Sequence, residues 1–423
     1  MSVGVNAAGS AALAALLTRP ALKRLLEVLN GDGEETRIVG GAVRNALLGR
    51  AIADVDLATT ATPDVVTARA RAAGFKAVPT GVEHGTVTVL AGGAPYEVTT
   101  LREDVETHGR RATVRFGRDF AADAARRDFT INALSLSADG TVHDSVGGLA
   151  DLAAHRVAFI GEPAARIRED YLRILRFFRF HAEYGEGPLD PAGFSAAVRE
   201  RAGLAILSRE RVRLEFLKLL KARRAVEVIR DLADAGFAQR FLGGVVELGR
   251  LARAAAFEHE EGGHPDPVRR LAALAVLVEE DAGRLREHLR LSNAEMERLT
   301  AYARALARMR SPAGLLDAAD VRRFVAEYGA GTVRDVLTAT EGEPRPRLSA
   351  EGLSAYRRFA TGEEAAPQFP LRGADLLEHG VSAGPELGRR LDYARELWLT
   401  EGCPAGAGVK ANLIAAALAR PDP

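Results

Sequence analysis

Asp54 and Asp56 are the residues whose type and spacing most directly suggest chemistry. They lie two residues apart in a stretch that resembles a strand, so alternation places both carboxylates on one face and Val55 on the other. Two carboxylates this close repel each other, and a divalent cation relieves that repulsion. Hard oxygen ligands favour Mg²⁺ or Mn²⁺. Taken alone, the pattern also fits an acidic surface pair at a turn or a helix start.

A pair of glycines precedes these acids by fourteen residues. Gly40-Gly41 follows a short predicted strand, Arg37-Ile-Val39, and opens a predicted helix that Gly49 ends. Backbone without side chains can approach a triphosphate closely, with the helix N–H groups facing the anion. A tight strand–helix turn without a ligand is the alternative. A third carboxylate, Glu97, follows on a later strand, and the whole layout is typical of a nucleotidyltransferase palm, where strand-borne carboxylates hold two metal ions.

The elements that must position these residues are mixed in the first third of the chain. Residues 11–29 have helical periodicity that Pro20 should divide in two. Alternation predicts strands at Thr86–Leu90 and Tyr96–Thr100, joined by a Gly92-Gly93 turn, and a second hairpin over residues 136–143. After Gly147-Gly148 the strand pattern nearly vanishes and helical periodicity dominates.

Composition limits the class of protein. The chain has 423 residues, enough for two to four domains, and its 47% hydrophobic and 27% charged residues fit a globular protein with real cores. The single cysteine, Cys403, excludes a disulfide framework and a Cys-rich zinc site. No apolar run approaches the roughly 20 residues that span a bilayer. The net charge of zero argues against a polybasic tail. We expect a cytoplasmic protein without a signal peptide.

Six linked motifs give a more specific indication. The sequence resembles the class II branch of the polymerase β superfamily, which contains the bacterial tRNA CCA-adding enzymes and poly(A) polymerases. The resemblance covers about residues 36–180 and rests on these segments: Gly40-Gly-Ala-Val-Arg-Asn45, Asp54-Val-Asp-Leu57, Glu97-Val-Thr-Thr-Leu-Arg102, Arg126-Arg-Asp-Phe-Thr-Ile-Asn-Ala133, Asp144 with Gly147-Gly-Leu-Ala-Asp-Leu152, and Arg168-Glu-Asp-Tyr-Leu-Arg-Ile-Leu-Arg176. Asn45 departs from the family pattern, which usually has aspartate there.

The resemblance implies a fold and a domain order. We expect an α+β protein with an N-terminal polymerase β-type nucleotidyltransferase head, built on a small mixed sheet and followed by all-α domains. The expected boundaries are 1–148 for the head, 149–225 for a helical neck that recognises the base, 226–310 for a helical body, and 311–423 for a helical tail that binds tRNA.

The resemblance also implies roles for individual residues. Asp54, Asp56 and Glu97 would be catalytic, with Asp54 and Asp56 as metal ligands. The nucleotide-binding residues would be Gly40, Gly41, Arg44, Arg126, Arg127, Asp128, Asn132, Asp170, Arg173 and Arg176. Within this set, Gly40, Gly41 and Arg44 would hold the triphosphate, whereas residues 126–128 would contact the ribose and phosphates. For residues 126–128, a solvated charge cluster at a helix end is the alternative.

Base choice follows from the chemistry of Asp170 and Arg173, which we expect on one face of a helix at i and i+3. Aspartate accepts from the exocyclic amine of cytosine or adenine, and arginine donates to the adjacent ring nitrogen. Guanine and uracil reverse both partners, and each unpaired buried group costs about 1–3 kcal/mol. The family resemblance assigns this protein-template role to the pair. A surface ion pair is the alternative.

The remaining expectations concern RNA and the reaction. Residues 103–118 match the flexible loop that the family uses in switching from C to A addition, although a surface loop without function is the alternative. The basic segment Ser208–Arg224, with Arg166, Arg168, Arg176 and Arg179, could form a positive stripe for an RNA backbone. Pro370–Leu377 and Gly380–Gly388 resemble the tail regions of these enzymes.

We therefore expect metal-dependent, template-independent addition of CCA to the 3′ end of tRNA. The expected substrates are CTP and ATP, and the expected metal is Mg²⁺, with Mn²⁺ as the alternative. The partner is tRNA, with no membrane and no obligate protein partner. The alternatives are a poly(A) polymerase, a specialist that adds only CC or only A, and a noncatalytic RNA-binding relative.

Overall fold

The computed structural model describes residues 7–81, 85–108 and 111–419. It contains a small mixed sheet near the N-terminus and is helical through most of the remainder, with 59% helix, so the predicted α+β class is confirmed. The chain divides into two compact units, Met1–Leu207 and Ser208–Pro423. The finer division into head, neck, body and tail stays a prediction.

The strands of the described ranges lie in the first unit. They are β1 (Thr36–Val39), β2 (Asp56–Thr59), β3 (Lys76–Gly81), β4 (Thr86–Ala91), β5 (Ala94–Thr100), β6 (Arg102–His108), β7 (Arg111–Phe116), β8 (Ser135–Leu136) and β9 (Val142–His143). One sheet has the order β3-β4-β5-β2-β1-β8-β9, and β6 and β7 form a separate antiparallel ribbon. In the main sheet, β2 and β5 run parallel, whereas the other neighbouring pairs are antiparallel.

Both predicted hairpins are present, and the structure adds a strand and a ribbon that the sequence analysis did not predict. The Gly92-Gly93 turn joins β4 to β5, with φ of 59° and 80° at the two glycines, values that glycine adopts without steric penalty. Strand β3 was not predicted because Pro79 interrupts its pattern, but its position at the edge of the sheet tolerates proline. Much of the expected loop 103–118 is the β6–β7 ribbon, whereas residues 109–110 lie outside the described residues.

The described part of the first unit also contains a set of α-helices. They are α1 (Ala7–Leu17), α2 (Pro20–Leu29), α3 (Gly41–Leu47), α4 (Pro63–Ala72), α5 (Phe120–Ala125), α6 (Gly148–Ala153), α7 (Pro163–Glu169), α8 (Leu172–Tyr184) and α9 (Pro191–Arg199). Pro20 begins α2 and so divides the N-terminal helical stretch as predicted.

The main sheet has one buried and one partly open face. Ile38, Leu57, Val87 and Val98 lie in one row across four strands, and each is at most 1% exposed. Helices α2 and α4 pack on this side. Because side chains alternate along a strand, the residues directly before and after each of these four point to the opposite face. That second face carries the predicted catalytic acids.

Helix α8 is fixed within the first unit by an aromatic cluster. Phe177 and Phe180 of this helix lie near Phe129, with ring centroids 6.3 and 5.1 Å from its ring, and Phe159 contacts Phe129 at 4.9 Å. All four rings are at most 6% exposed. Burial of large apolar rings is the main favourable term in such packing. Helix α8 is therefore held rigidly beside the segment that follows α5.

The second unit is helical. Its helices are α10 (Arg209–Lys221), α11 (Ala225–Asp234), α12 (Phe237–Leu242), α13 (Leu248–Glu260), α14 (Pro267–Ala275), α15 (Glu279–Leu289), α16 (Asn293–Arg310), α17 (Ala318–Ala339), α18 (Ala350–Thr361), α19 (Gly373–Leu377), α20 (Pro385–Thr400) and α21 (Val409–Ala419). Trp398 and Cys403 are buried in its C-terminal core. In the described ranges, none of the helices combines the length and apolar character that crossing a membrane requires.

Candidate active site

The three predicted catalytic acids lie near one another, two of them at and before the start of β2 and the third within the neighbouring strand β5. Asp56 is the first residue of β2 and pairs with Glu97 of parallel strand β5, so their side chains share one face at a strand spacing of about 4.8 Å. Asp54 lies before the strand rather than in it, which corrects the predicted strand position. The predicted alternation is nevertheless present, because Asp54 and Asp56 are exposed and Val55 is 6% exposed.

Electrostatics make Asp56 a suitable ligand for a cation. Partial removal from water raises the pKa of Asp56 above its usual 3.8, and the negative charges of Glu97 and Asp54 raise it further, against the opposing effect of Arg127. A bound cation would reverse this penalty. Within the described residues, no three His, Cys, Asp or Glu side chains form a complete metal site. Two carboxylates nevertheless fit Mg²⁺, which commonly takes its other ligands from substrate phosphates and water.

The glycine turn adjoins these acids. Val39, the last residue of β1, pairs with Asp56 on the side opposite Glu97, and Gly40 follows it directly. Gly40 has φ 66° and ψ −120°, a conformation that needs glycine. A Cβ at this position would lie 2.9 Å from Nη1 of Arg127. At this turn the backbone therefore passes close to the guanidinium of Arg127, with no side chain between them.

Arg126 and Arg127 are held by a residue that the sequence analysis missed. Asp123, which is 5% exposed, accepts a hydrogen bond from Nε of Arg126 at 2.8 Å and one from Nη2 of Arg127 at 3.3 Å. Arg127 also donates through Nη1 to the carbonyl of Asn132 at 3.3 Å. The i,i+3 and i,i+4 spacing from Asp123 to the arginines is the signal that could have identified it.

Asp128 is buried in a network with α8 rather than exposed to solvent. Its Oδ1 accepts from Nδ2 of Asn132 at 2.9 Å, and its Oδ2 accepts from Nε of Arg176 at 2.8 Å. Burial alone would raise the pKa of Asp128, but the charge of Arg176 and these hydrogen bonds outweigh burial, and the pKa is lowered. The carboxylate is therefore a stable anion that fixes two of the predicted nucleotide-binding residues.

Arg44 continues this network beneath the glycine turn. It is 6% exposed, donates through Nη1 to Oδ1 of Asn132, and donates through Nη2 to the hydroxyl of Tyr184 at 2.7 Å. A Cβ on Gly41 would lie 3.6 Å from Nη2 of Arg44. The guanidinium is thus internally bonded and lies against the turn. Tyr184 was not predicted, because no local pattern links it to a residue 140 positions earlier.

The structure corrects the expected conformation of Asp170. Helix α7 ends at Glu169, Asp170 is extended with φ −153° and ψ 106°, and α8 begins at Leu172. The two residues are joined through the backbone, where the N–H of Arg173 donates to the Asp170 carbonyl at 2.9 Å, and the shared face of their side chains stays a prediction. The Arg173 side chain donates to the Arg166 carbonyl at 2.8 Å and pairs with Glu169.

The basic residues predicted to contact RNA lie in both units, and their role as one surface stays a prediction. In the second unit, α10 buries the expected apolar residues Val212, Phe216, Leu219 and Leu220 and exposes Arg211, Lys218 and Lys221. In the first unit, the arginines that were expected to extend it have carboxylate partners within that unit. These pairs are Arg166–Glu169, Arg168–Glu200, Arg176–Asp128 and Arg179–Glu183. These four side chains are therefore partly neutralised by neighbouring acids.

Known proteins match this chain over most of its length. Two family models match, the Poly A polymerase head domain over residues 36–158 and the probable RNA and SrmB-binding site of polymerase A over residues 189–247. The mitochondrial CCA tRNA nucleotidyltransferase 1 of Mus musculus is 35% identical over 390 residues, covering 90% of this chain and 86% of its own. The CCA-adding enzyme of Latilactobacillus sakei is 32% identical over 373 residues, covering 87% and 90%.

A solved structure agrees with these matches. The Bacillus stearothermophilus CCA-adding enzyme in complex with CTP superposes with a TM-score of 0.67 at 29% identity, covering 91% of this chain and 94% of that one. The fold and the site define a nucleotidyltransferase of the polymerase β superfamily. Within that class, the chain belongs to the class II CCA-adding enzyme family, as the similarity across nearly its whole length establishes.

Proposed function

We propose that this protein adds CCA to the 3′ end of tRNA without a nucleic-acid template, using CTP and ATP and releasing pyrophosphate. The observation that supports the chemistry most directly is the position of Asp56, which lies between the Gly40 turn on one side and Glu97 on the other. The names of the relatives, which match nearly the whole chain, support CCA addition as the specific reaction.

Asp54 and Asp56 are proposed to hold the divalent cation, which we take to be Mg²⁺, with Mn²⁺ as the alternative. When bound, such a cation stabilises charge on the triphosphate and favours deprotonation of the attacking hydroxyl. Glu97 lies on the side of Asp56 away from the glycine turn. It is therefore suited to orient the terminal 3′-hydroxyl of the RNA as this oxygen attacks the α-phosphate.

The triphosphate is proposed to lie against the Gly40-Gly41 turn. The missing Cβ of Gly40 leaves room for close approach, and Arg127 places positive charge beside it. Asp123 orients Arg126 and Arg127 in advance, so little side-chain ordering remains when pyrophosphate charge develops. Arg44 adds a cation beneath the turn.

Asp170 and Arg173 are proposed to select the base. Arg173 must exchange its contact with Glu169 for the ring nitrogen of cytosine or adenine, whereas Asp170 accepts from the exocyclic amine. Arg176, further along α8, and its partner Asp128 are proposed to contact the ribose and phosphates. Their mutual ion pair supports this role because it fixes both side chains before the nucleotide binds.

A poly(A) polymerase is the second candidate, because the head-domain match carries that name. We propose that the protein acts in the cytoplasm. Three related proteins from animals carry mitochondrial names, so the compartment is not a fixed property of the family.

Product length tests the proposal. The protein is incubated with tRNA lacking its 3′ CCA and with each labelled nucleoside triphosphate, singly and in pairs, and the products are sized. CTP with ATP should add three nucleotides and stop. A long adenylate ladder would instead support the poly(A) polymerase, and two cytidylates alone would indicate a CC-adding specialist. Incorporation of UTP as efficient as that of CTP would contradict the proposed base selection.

A further inference from the structure

We propose that Asn45 is a positioning residue that fastens the segment carrying Asp54 to the buried network beneath the glycine turn. The kinetic part of this inference rests on the proposed function, whereas its structural part does not. Asn45 is also the position at which this chain departs from the motif that it otherwise matches.

Asp54 needs such a fastening because it lies outside the sheet. Helix α3 ends at Leu47, the chain reverses at Gly49 with φ 64°, and β2 begins only at Asp56. Asp54 therefore belongs to a connection whose backbone is not held by the strand ladder. Strand hydrogen bonds position Asp56 and Glu97, but they do not position Asp54.

Asn45 supplies hydrogen bonds that hold the first half of this connection. Its backbone carbonyl accepts from the N–H of Arg50 at 2.8 Å, and its side-chain Nδ2 donates to the carbonyl of Ala51 at 3.1 Å. Ala51 lies three residues before Asp54. The second bond requires an amide, because an ionised aspartate has only acceptors.

The oxygen of the same amide faces the buried network. Oδ1 of Asn45 accepts from Nε and Nη2 of Arg44 at 3.2 and 3.0 Å, and the Tyr184 hydroxyl lies 3.4 Å away. Arg44 in turn lies against Gly41 and bonds to Asn132. The Asn45 side chain therefore links two parts of the site. One is the connection that carries Asp54, a proposed metal ligand, and the other is Arg44, which lies beneath the proposed triphosphate site.

Arg50 provides a second fastening to the same structure. Its Nη1 donates to the Glu183 carbonyl at 2.9 Å, and its guanidinium lies 4.8 Å from the ring centroid of Tyr184. The connection is thus attached to the end of α8 through Arg50 and to α3 through Asn45. Loss of either attachment should loosen the connection without disturbing the sheet.

The Asn45→Asp variant separates the two functions of the amide. It keeps acceptors for Arg44 but loses the donor to Ala51 and places a carboxylate oxygen against that carbonyl. Asn45→Ala loses both the acceptor for Arg44 and the donor to Ala51. Loss of a group that hydrogen-bonds a metal ligand directly typically costs about 10–100-fold in metal affinity, and Asn45 acts one step further out, so the lower end of that range applies. We expect Asn45→Asp to weaken the apparent Mg²⁺ affinity in CTP incorporation about 10-fold, with KM for CTP at saturating Mg²⁺ unchanged. Asn45→Ala should also raise that KM.

Hydrogen exchange in the absence of metal gives a readout that does not depend on activity. Peptides covering residues 50–56 should exchange faster in Asn45→Asp than in the wild type, and Arg50→Ala should produce the same local change while leaving Arg44 untouched. Asn30→Asp is the matched control. Its amide also donates to a carbonyl, that of Leu26 at 2.8 Å, but it lies beside Thr36, at the end of β1 away from the glycine turn. It should leave exchange at 50–56 and the Mg²⁺ dependence unchanged.

Wild-type exchange at residues 50–56 in both Asn45→Asp and Arg50→Ala would overturn the proposal. It would also be overturned if Asn30→Asp reproduced the loss of Mg²⁺ affinity, because the effect would then be one of general stability. Failure of CCA addition by the wild-type protein would instead refute the proposed function. The hydrogen-exchange comparison would then still decide whether Asn45 positions residues 50–56, because it does not depend on activity.

Discussion

Replacing Asp56 by asparagine should stabilise the protein while abolishing its activity. In the absence of metal, Asp56 and Glu97 are neighbours on parallel strands with like charges. Two charges about 5 Å apart repel by about 1 kcal/mol in water and about 3 kcal/mol at an effective dielectric constant of about 20. Both side chains are exposed, so the lower figure applies. The asparagine side chain keeps the shape of the carboxylate and removes the repulsion.

The expected gain is therefore about 1 kcal/mol in the free energy of unfolding. For a unit the size of Met1–Leu207, this corresponds to a rise of about 2–4 °C in the midpoint of thermal unfolding. The measurement is calorimetry or circular dichroism in EDTA. Mg²⁺ should stabilise the wild type more than Asp56→Asn, because it binds the carboxylate site of the folded protein. The difference between their unfolding midpoints should therefore become smaller when Mg²⁺ is added.

The pH dependence of the free energy of unfolding predicts the same direction for the effect of Asp56→Asn. The folded pKa of Asp56 is raised, so the folded protein binds a proton more tightly than the unfolded chain does. The resulting stabilisation is complete below the usual pKa of 3.8 and is lost as the pH rises through the folded pKa. The advantage of Asp56→Asn over the wild type should therefore appear above about pH 4 and then reach a plateau.

A double-mutant cycle identifies the source of the effect. If repulsion between the two acids causes it, Glu97→Gln should also stabilise, and the Asp56→Asn/Glu97→Gln double variant should gain less than the sum of the single gains. A lower unfolding midpoint for Asp56→Asn in EDTA, or strict additivity with Glu97→Gln, would refute this explanation.

Three further predictions concern the nucleotide site. Gly40→Ala should lower CTP incorporation and destabilise by about 1–3 kcal/mol through backbone strain. Gly93→Ala, also at a positive φ (80°) but with open space around it, should destabilise without a kinetic defect, and unfolding and steady-state kinetics compare the two variants. Asp170→Ala should reduce discrimination of CTP from UTP by about 10-fold, measured as the ratio of kcat/KM values, and an unchanged ratio would exclude Asp170 from base selection. Glu169→Gln removes the carboxylate that competes for Arg173 and should lower KM for CTP a few-fold, and a raised KM would contradict that competition.

Local patterns were sufficient to predict the elements that position the acids. The alternation around Asp56, the Gly40 turn and the two hairpins each depend on residues close together in sequence, so the structure agrees with them. The β3 strand was missed because an edge position permits a proline, and edge position is a property of the whole sheet. The helix break at Asp170 carries no proline or glycine, and its one local signal is the aspartate itself, whose Oδ1 accepts from the Leu172 N–H at 3.1 Å at the start of α8.

Partners distant in sequence could not be predicted in this way. Motif resemblance identified Arg44, but its contacts with Asn132 and Tyr184 join residues 88 and 140 positions away. Such contacts depend on the packing of α8 in the aromatic cluster around Phe129, which no local pattern describes. The same limit applies to the amide of Asn45, whose donor role depends on where the Ala51 carbonyl lies.

The most direct test of the central claim is single-turnover incorporation of CTP into tRNA lacking its 3′ CCA by Asp54→Ala and Asp56→Ala variants. If these acids hold the catalytic cation, each variant should lose at least about 1,000-fold in rate, several kcal/mol of barrier, while binding tRNA as the wild type does. Incorporation at the wild-type rate by either variant would contradict the account.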